Sequence, residues 1–249
     1  MDGATSARIA RLAVDAPGER VLEIGAGTGA LTAALLREGA RVTAFDVDPQ
    51  MVEILRSRED LADAEVVQAD ALEFDYTAWA GTQPWRAAGN LPYNVGTPTL
   101  VILAGLANAP QRIVAMLQKD VADRLTARPG TEQYGSLTVA IGLTMRVERA
   151  FNVPPSAFYP RPNVVSAVVV LHRLEHPAAE VHDRARFEQV VRGAFAYRRK
   201  TLANSLSLAL KLPRERIAEA MASLSLHPDV RGESLDLRTF AALTDALAS

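Results

Sequence analysis

The chain has 249 residues, of which 49% are apolar and 22% charged, and its net charge at pH 7 is −2. This is the composition of a globular protein, and the length suffices for one large domain with or without a small one. The lack of cysteine excludes disulfides, zinc–thiolate sites and thiol nucleophiles. No stretch has the pattern of a signal peptide or a membrane span, so we expect a soluble, cytoplasmic protein.

The first half of the sequence alternates short apolar runs with segments of helical period. Strands are predicted at 21–24, 41–45, 65–67, 86–89 and 112–117, and helices at 30–37 and 51–58. Such alternation predicts a parallel sheet with helices on both faces. Ligands of such sheets lie beyond the carboxyl ends of the strands.

Beyond residue 137 the pattern changes. Four prolines interrupt residues 154–162, a further strand is predicted at 164–171, and 173–181 resembles a linker. Only helical periodicity follows, at 185–196, 201–210, 214–224 and 237–247. We therefore predict a Rossmann-like α/β domain over residues 1–175 and a small, all-helical C-terminal domain over residues 176–249.

The turn from the first predicted strand into the first helix is rich in glycine. Residues 23–29 read Glu-Ile-Gly-Ala-Gly-Thr-Gly. Gly25 and Gly27 permit positive φ and let backbone N–H groups approach a ligand. The spacing Gly25-x-Gly27-x-x-Ala30 also satisfies the dinucleotide fingerprint, with Asp46 about 20 residues on as the ribose-binding acid. The turn therefore predicts a cofactor that contains a nucleoside, either a dinucleotide or S-adenosylmethionine.

Two carboxylates favour S-adenosylmethionine over a dinucleotide. Glu23 lies inside the end of the first strand, where it would repel a pyrophosphate but suits a cationic ligand. Asp70 ends the third strand and could accept a hydrogen bond from an adenine amine. A nicotinamide dehydrogenase remains a distant alternative, because nothing in the sequence resembles a hydride-transfer site.

The tetrapeptide Asn90-Leu91-Pro92-Tyr93 follows the fourth strand, at the same edge of the sheet. An aromatic amine is a poor nucleophile because its lone pair is delocalised into the ring. The Asn90 side-chain oxygen and the Leu91 carbonyl could accept its N–H bonds and aim the lone pair at a sulfonium methyl group. Tyr93 offers a face on which the base stacks. The reaction would then be an in-line displacement driven mainly by positioning.

Phe158 lies on a proline-rich loop and could cover the other face of a base that is flipped out of its stack. Core packing is the competing interpretation of this aromatic residue.

With these residues identified, the whole chain from Asp2 onward resembles the ribosomal RNA adenine N6,N6-dimethyltransferase family, and within it the type that modifies small-subunit rRNA. The segments that carry the resemblance are 23–29, 90–94, 117–125, 153–158, 160–168 and 198–206. The resemblance implies dimethylation, with S-adenosylmethionine, of two adjacent adenines in a hairpin loop near the 3′ end of 16S rRNA. It also implies a monomer that needs no metal and acts on rRNA within a pre-assembled small ribosomal subunit during ribosome biogenesis.

The resemblance also assigns roles to individual residues. Cofactor binding falls to Glu23, Gly25, Gly27, Asp46, Asp70, Ala71 and Asn90. Catalysis falls to Asn90, Leu91, Tyr93 and Phe158. Arg198, Arg199 and Lys200 are expected to contact RNA phosphates, which makes the helical domain an RNA-binding domain.

One departure from the family and two alternatives remain. The family has a Gly-Gln-Asn-Phe-Leu segment just before the position of Asp2, so we expect the chain as given to bind its cofactor weakly and methylate poorly. The first alternative is a macrolide-resistance methyltransferase of large-subunit rRNA. The second is a non-catalytic ribosome-assembly factor with the same fold.

Overall fold

The computed structural model describes residues 2–92, 95–159 and 161–248. The chain forms two compact units. The first comprises Met1–Ala122 and Arg146–Arg173, and the second Asp123–Met145 and Leu174–Ser249.

The first unit is built on a seven-stranded sheet of order β3-β2-β1-β4-β5-β7-β6. Its strands are β1 Arg20–Ile24, β2 Arg41–Asp46, β3 Glu65–Gln68, β4 Arg86–Asn90, β5 Arg112–Gln118, β6 Met145–Val153 and β7 Ser166–Arg173. The first five strands are mutually parallel, whereas β7 runs antiparallel to β5. The predicted Rossmann-like α/β fold is thus confirmed, and β4 lies next to β1 although a long stretch of chain separates them.

Six helices accompany the sheet among the described residues: α1 Gly3–Ala13, α2 Ala30–Arg37, α3 Pro49–Ser57, α4 Tyr76–Ala80, α5 Gly96–Gly105 and α6 Lys119–Leu125. One face of the sheet packs with α1 and α2 into a core of small and branched side chains, among them Ile9, Leu35, Val114 and Val170. Helix α3 begins at a sequence-encoded cap, because Asp48 accepts a bond from the Gln50 N–H and Pro49 fixes the first turn.

Helices α1, α4, α5 and α6 and strand β6 were not predicted. Helix α1 precedes β1, and β6 pairs at the edge of the sheet beside β7. Strand β6 does carry a signal, since its burial alternates between one side chain and the next as in a half-exposed strand. Charged residues at its alternate positions hide this pattern from a search for apolar runs.

The second unit is helical. It contains α7 Ser136–Gly142, α8 Arg184–Ala196, α9 Leu202–Leu210, α10 Arg214–Ser223 and α11 Leu237–Ala248. Its core includes Phe187, Phe240 and Leu206, as the predicted helical periodicity requires. Residues 123–145 were expected in the α/β domain, but they group with the helical unit, where Tyr134 and Leu143 pack into this core.

The amino-terminal edge of the sheet is held by ion pairs to the loop that follows α1 and by hydrogen bonds to the last carbonyls of α1. Arg86 is buried at the start of β4, and it contacts Asp15 at 2.8 Å and Glu19 at 2.6 Å while donating to the Ala13 carbonyl. Arg112 at the start of β5 contacts Asp15 at 2.6 Å. These contacts lower the pKa of the Asp15 carboxyl to about 2, with the Arg112 hydrogen bond as the largest cause.

We expect Asp15→Asn to lower the free energy of unfolding at pH 7 by about 0.5–1 kcal/mol, a small value because the carboxylate is half exposed and screened by solvent. The folded-state pKa is depressed, so this stability exists above the unfolded pKa of about 4 and is lost as pH falls towards 2. Denaturant titrations of both proteins between pH 7 and pH 3 measure it. The difference in the free energy of unfolding between the parent chain and Asp15→Asn should narrow below pH 4. The variant Asp63→Asn, at an exposed position, should show no such difference at any pH.

Candidate active site

A cavity of about 620 Å³ lies at the carboxyl edge of the parallel strands. It is lined by Ile24, Gly25, Phe45, Asp46, Val47, Ala69, Asp70, Ala71, Asn90, Leu91, Pro92, Val95, Phe158 and Pro162. The strand order explains why these residues lie together, because β3, β2, β1 and β4 are neighbours and their last residues lie side by side. Seven of the predicted site residues therefore share one cavity of ligand size.

The glycine turn is organised by the carboxylate of Asp46. Its Oδ2 accepts a bond of 2.8 Å from the Gly27 N–H, and its Oδ1 accepts one of 3.1 Å from the Asp48 N–H. The N–H of Gly25 donates to the Phe45 carbonyl at 3.0 Å. Gly25 and Gly27 adopt φ of +70° and +54°, which side chains disfavour. Gly27 does not line the cavity but fixes the turn that does.

Asn90 is positioned by Gly89, a residue that was not among the predicted site residues. A Cβ at Gly89 would lie 2.5 Å from the Ile24 carbonyl oxygen, so only glycine lets β4 approach β1 this closely. The backbone carbonyl of Asn90 then lies 3.7 Å from an ideal Cβ position on Gly25. Within the described part of the chain, the Asn90 side chain is exposed and has no hydrogen-bond partner.

The loop after β3 is fixed by its own hydrogen bonds. Asp70 accepts the Leu72 N–H at 2.8 Å through Oδ1, which leaves Oδ2 for another donor. The hydroxyl of Tyr76 donates to the Ala71 carbonyl at 2.8 Å. Burial, with a smaller effect of the Asp70 charge, raises the pKa of Tyr76, so this hydroxyl stays protonated.

Glu23 lies beneath the glycine turn and is only 1% exposed, so it does not line the cavity. Its β-sheet neighbours on the same face are Ala44 and Ala88, which offer no charge to compensate it. Among the described residues its Oε2 has no hydrogen-bond partner. Burial raises the pKa of Glu23 to about 8 despite the contact with Thr32. Buried acids with a raised pKa are found more often at functional sites than elsewhere in a core.

Phe158 lines the cavity from a segment that is anchored at the preceding residue. The N–H of Asp2, at the start of α1, donates to the Ala157 carbonyl at 2.8 Å. Phe158 is half-buried, because its ring lines the cavity and also packs against the core. The two interpretations of this residue, base stacking and core packing, are therefore compatible.

The remaining predicted site residues are Tyr93 and the cationic residues 198–200. Tyr93 lies outside the described residues. In the helical unit, Arg198 is engaged in holding the fold, since its Nη2 donates to the carbonyls of Glu132 and Tyr134. Arg199 and Lys200 are exposed and stay candidates for RNA contact.

Neither a metal site nor a membrane span is found in the residues that the structure describes. No three His, Asp or Glu side chains there are grouped to hold an ion. No helix there is both long and apolar enough to cross a bilayer.

Comparison with known proteins gives consistent matches over almost the full length. The family description "Ribosomal RNA adenine dimethylase" matches residues 4–243. Ribosomal RNA small subunit methyltransferase A of Geobacter metallireducens is 43% identical over 246 residues, which is 97% of this chain and 90% of that protein. The protein of the same name from Streptococcus gordonii is 40% identical, over 92% of this chain and 82% of that protein.

Solved structures agree with the sequence matches. A dimethyladenosine transferase from Plasmodium falciparum superposes with a TM-score of 0.81 and 25% identity, covering 97% of this chain and 94% of that one. The 23S rRNA methyltransferase ErmE superposes with a TM-score of 0.71 and 27% identity, covering 100% and 99%.

The buried acid yields a prediction on stability. A carboxyl whose pKa is raised by folding favours the folded state at low pH, and that stability is lost as pH rises from about 4.5, where the unfolded chain ionises, to about 8. Glu23→Gln cannot ionise, so we expect it to be more stable than the parent chain above pH 4.5, by a margin that grows up to pH 8. Chemical denaturation from pH 4 to pH 9 measures the margin.

The exposed Glu53→Gln is the matched control and should show no such growth. A margin independent of pH would mean that Glu23 is ionised in the folded chain.

Proposed function

The chain belongs to the ribosomal RNA adenine dimethylase family, and we propose that it dimethylates the N6 amines of two adjacent adenines in small-subunit rRNA, using S-adenosylmethionine. The observation that carries this proposal is the position of Asn90, which lines the cavity beside the glycine turn with a side-chain amide that has no hydrogen-bond partner among the described residues. The relatives named as small subunit methyltransferases supply the class of RNA.

The residues of the cavity suit the proposed cofactor. When bound, S-adenosylmethionine supplies an electrophilic methyl group on a sulfonium. The free lone pairs of Asp46 would accept from ribose hydroxyls, and Oδ2 of Asp70 from the adenine amine. The acidic character of this edge suits a cationic ligand and opposes a pyrophosphate. Ala71 and the apolar lining around it would pack against the adenine ring.

The target amine would be activated by hydrogen bonds rather than by a strong base. The Asn90 side-chain oxygen and the Leu91 carbonyl would accept its two N–H bonds, which keeps the nitrogen lone pair out of the aromatic ring. Leu91 is held for this purpose, because its own N–H donates to the Met116 carbonyl at 3.1 Å. Phe158, and by resemblance Tyr93, would stack on the two faces of the flipped base. Catalysis then rests on positioning.

Binding of the RNA backbone is proposed for the helical unit. Arg199 and Lys200 are exposed cations, which suits contacts with phosphates. Arg198 would act indirectly, because its bonds to Glu132 and Tyr134 shape the surface from which its neighbours project.

The test of the function is transfer of labelled methyl groups to small ribosomal subunits that lack this modification. We expect incorporation into two adjacent adenines of small-subunit rRNA and none into large subunits, because identity to the small-subunit relatives is far higher than to ErmE. Mapping the labelled nucleotides checks it. Labelling of large subunits alone would transfer the assignment to the second candidate, an ErmE-like enzyme, and no labelling of either would leave a non-catalytic factor.

Asn90→Ala removes one of the two proposed acceptors, so turnover should fall about a hundredfold or more, the order expected when a reacting group loses its positioning. Affinity for S-adenosylhomocysteine, measured by calorimetry, should change less than about threefold. Asn152→Ala, which truncates an exposed asparagine on β6, should leave both quantities unchanged. Full activity of Asn90→Ala would show that the tetrapeptide is only a turn.

A further inference from the structure

Tyr159 follows Phe158 directly, yet the two aromatic rings have opposite environments. Phe158 is half-buried and lines the cavity, whereas Tyr159 is 98% exposed. Among the described residues, the Tyr159 side chain makes no hydrogen bond, ion pair or ring contact. The fold therefore makes no use of this ring, although it lies in the chain between two residues, Phe158 and Pro162, that line the cavity.

The backbone explains how the two rings separate. Phe158 is extended, with φ −122° and ψ 150°, so consecutive side chains point to opposite sides. Phe158 turns towards the cavity and Tyr159 towards solvent.

Described residues before and after Tyr159 are hydrogen-bonded to other parts of the first unit. Before it, the Ala157 carbonyl accepts from Asp2, and after it the Val165 carbonyl accepts the Lys119 N–H at 3.0 Å. An aromatic ring on an anchored backbone loses little conformational entropy on binding, since only its two side-chain torsions remain to be fixed. The exposed ring is thus presented in a form suited to recognition.

We propose that Tyr159 is a specificity residue that stacks on the nucleotide next to the target adenine, with Arg161 beside the phosphate that joins the two. The proposal rests on the proposed function and deepens it. When one adenine occupies the cavity, its neighbour is one nucleotide away and must lie just outside the mouth. An exposed aromatic face suits an unpaired base, and the exposed guanidinium of Arg161 suits a phosphate.

An RNA partner explains this surface better than a protein partner does. The exposed apolar residues of the loop, Val164 and Val165, are small and are exposed by only about 40% each, which is too little for an apolar interface core. A single aromatic ring with a cation next to it is the usual pattern of contact with single-stranded nucleic acid.

The experiment measures steady-state methylation of unmodified small subunits by the full chain and four variants. Tyr159→Ala should raise KM for subunits about tenfold, the order expected for the loss of one base–aromatic stack. Its kcat at saturating subunits and its affinity for S-adenosylhomocysteine should stay within twofold. Tyr159→Phe should restore KM because the ring is retained, and Tyr159→Leu should not, because a leucine is apolar but cannot stack. Leu208→Ala, which truncates an exposed apolar side chain of the helical unit, is the control and should behave as the parent chain.

Three results would overturn the proposal: an unchanged KM in Tyr159→Ala, a KM restored equally by leucine, or a loss of cofactor affinity or melting temperature that matches the loss of activity. Failure of the proposed function is distinguishable from these, because the parent chain would then not methylate small subunits at all.

Discussion

The candidate site depends on how closely β4 approaches β1 at their carboxyl ends. At Gly89 the two backbones leave no room for a side chain, since a Cβ would lie 2.5 Å from the Ile24 carbonyl oxygen. That contact brings Asn90 beside Gly25, and it joins a polar acceptor from one strand to a ligand-binding turn from another. A larger residue at 89 would separate the strand ends, and the cavity would lose the geometry that catalysis by positioning requires.

The amino and carboxyl edges of the sheet in the first unit carry charged residues in different arrangements. At the amino edge, Arg86 and Arg112 are matched by Asp15 and by backbone carbonyls, so charge there stabilises the fold. At the carboxyl edge, Asp46 and Asp70 line the cavity, and Glu23 lies beneath the glycine turn, where burial raises its pKa. Burial of an acid costs stability at this second edge, and such a division between a stable scaffold and a costly site is common in proteins.

Much of this arrangement could be predicted from the sequence, and the reasons for the exceptions are physical. Strand ends, the glycine turn and the Asn90 tetrapeptide are local patterns, and the parallel topology brings them together without further information. The role of Gly89 could not be foreseen, because it depends on a contact between strands distant in sequence. The bonds of Arg198 to the carbonyls of Glu132 and Tyr134 could not be foreseen either, because no periodicity reveals that this segment belongs to the helical unit.

Helix α1 is fastened at both ends. Its first turn is tied through Asp2 to the Ala157 carbonyl, next to Phe158, and its last carbonyls accept from Arg86 and Arg112 at the opposite edge of the sheet. A helix of 11 residues is stiff. Helix α1 therefore sets the distance between the ion-paired edge of the sheet and the segment that carries Phe158. The position of the Phe158 side of the cavity therefore depends on residues that do not line the cavity, and a shift at the amino edge of the sheet would be transmitted through α1 to the cavity.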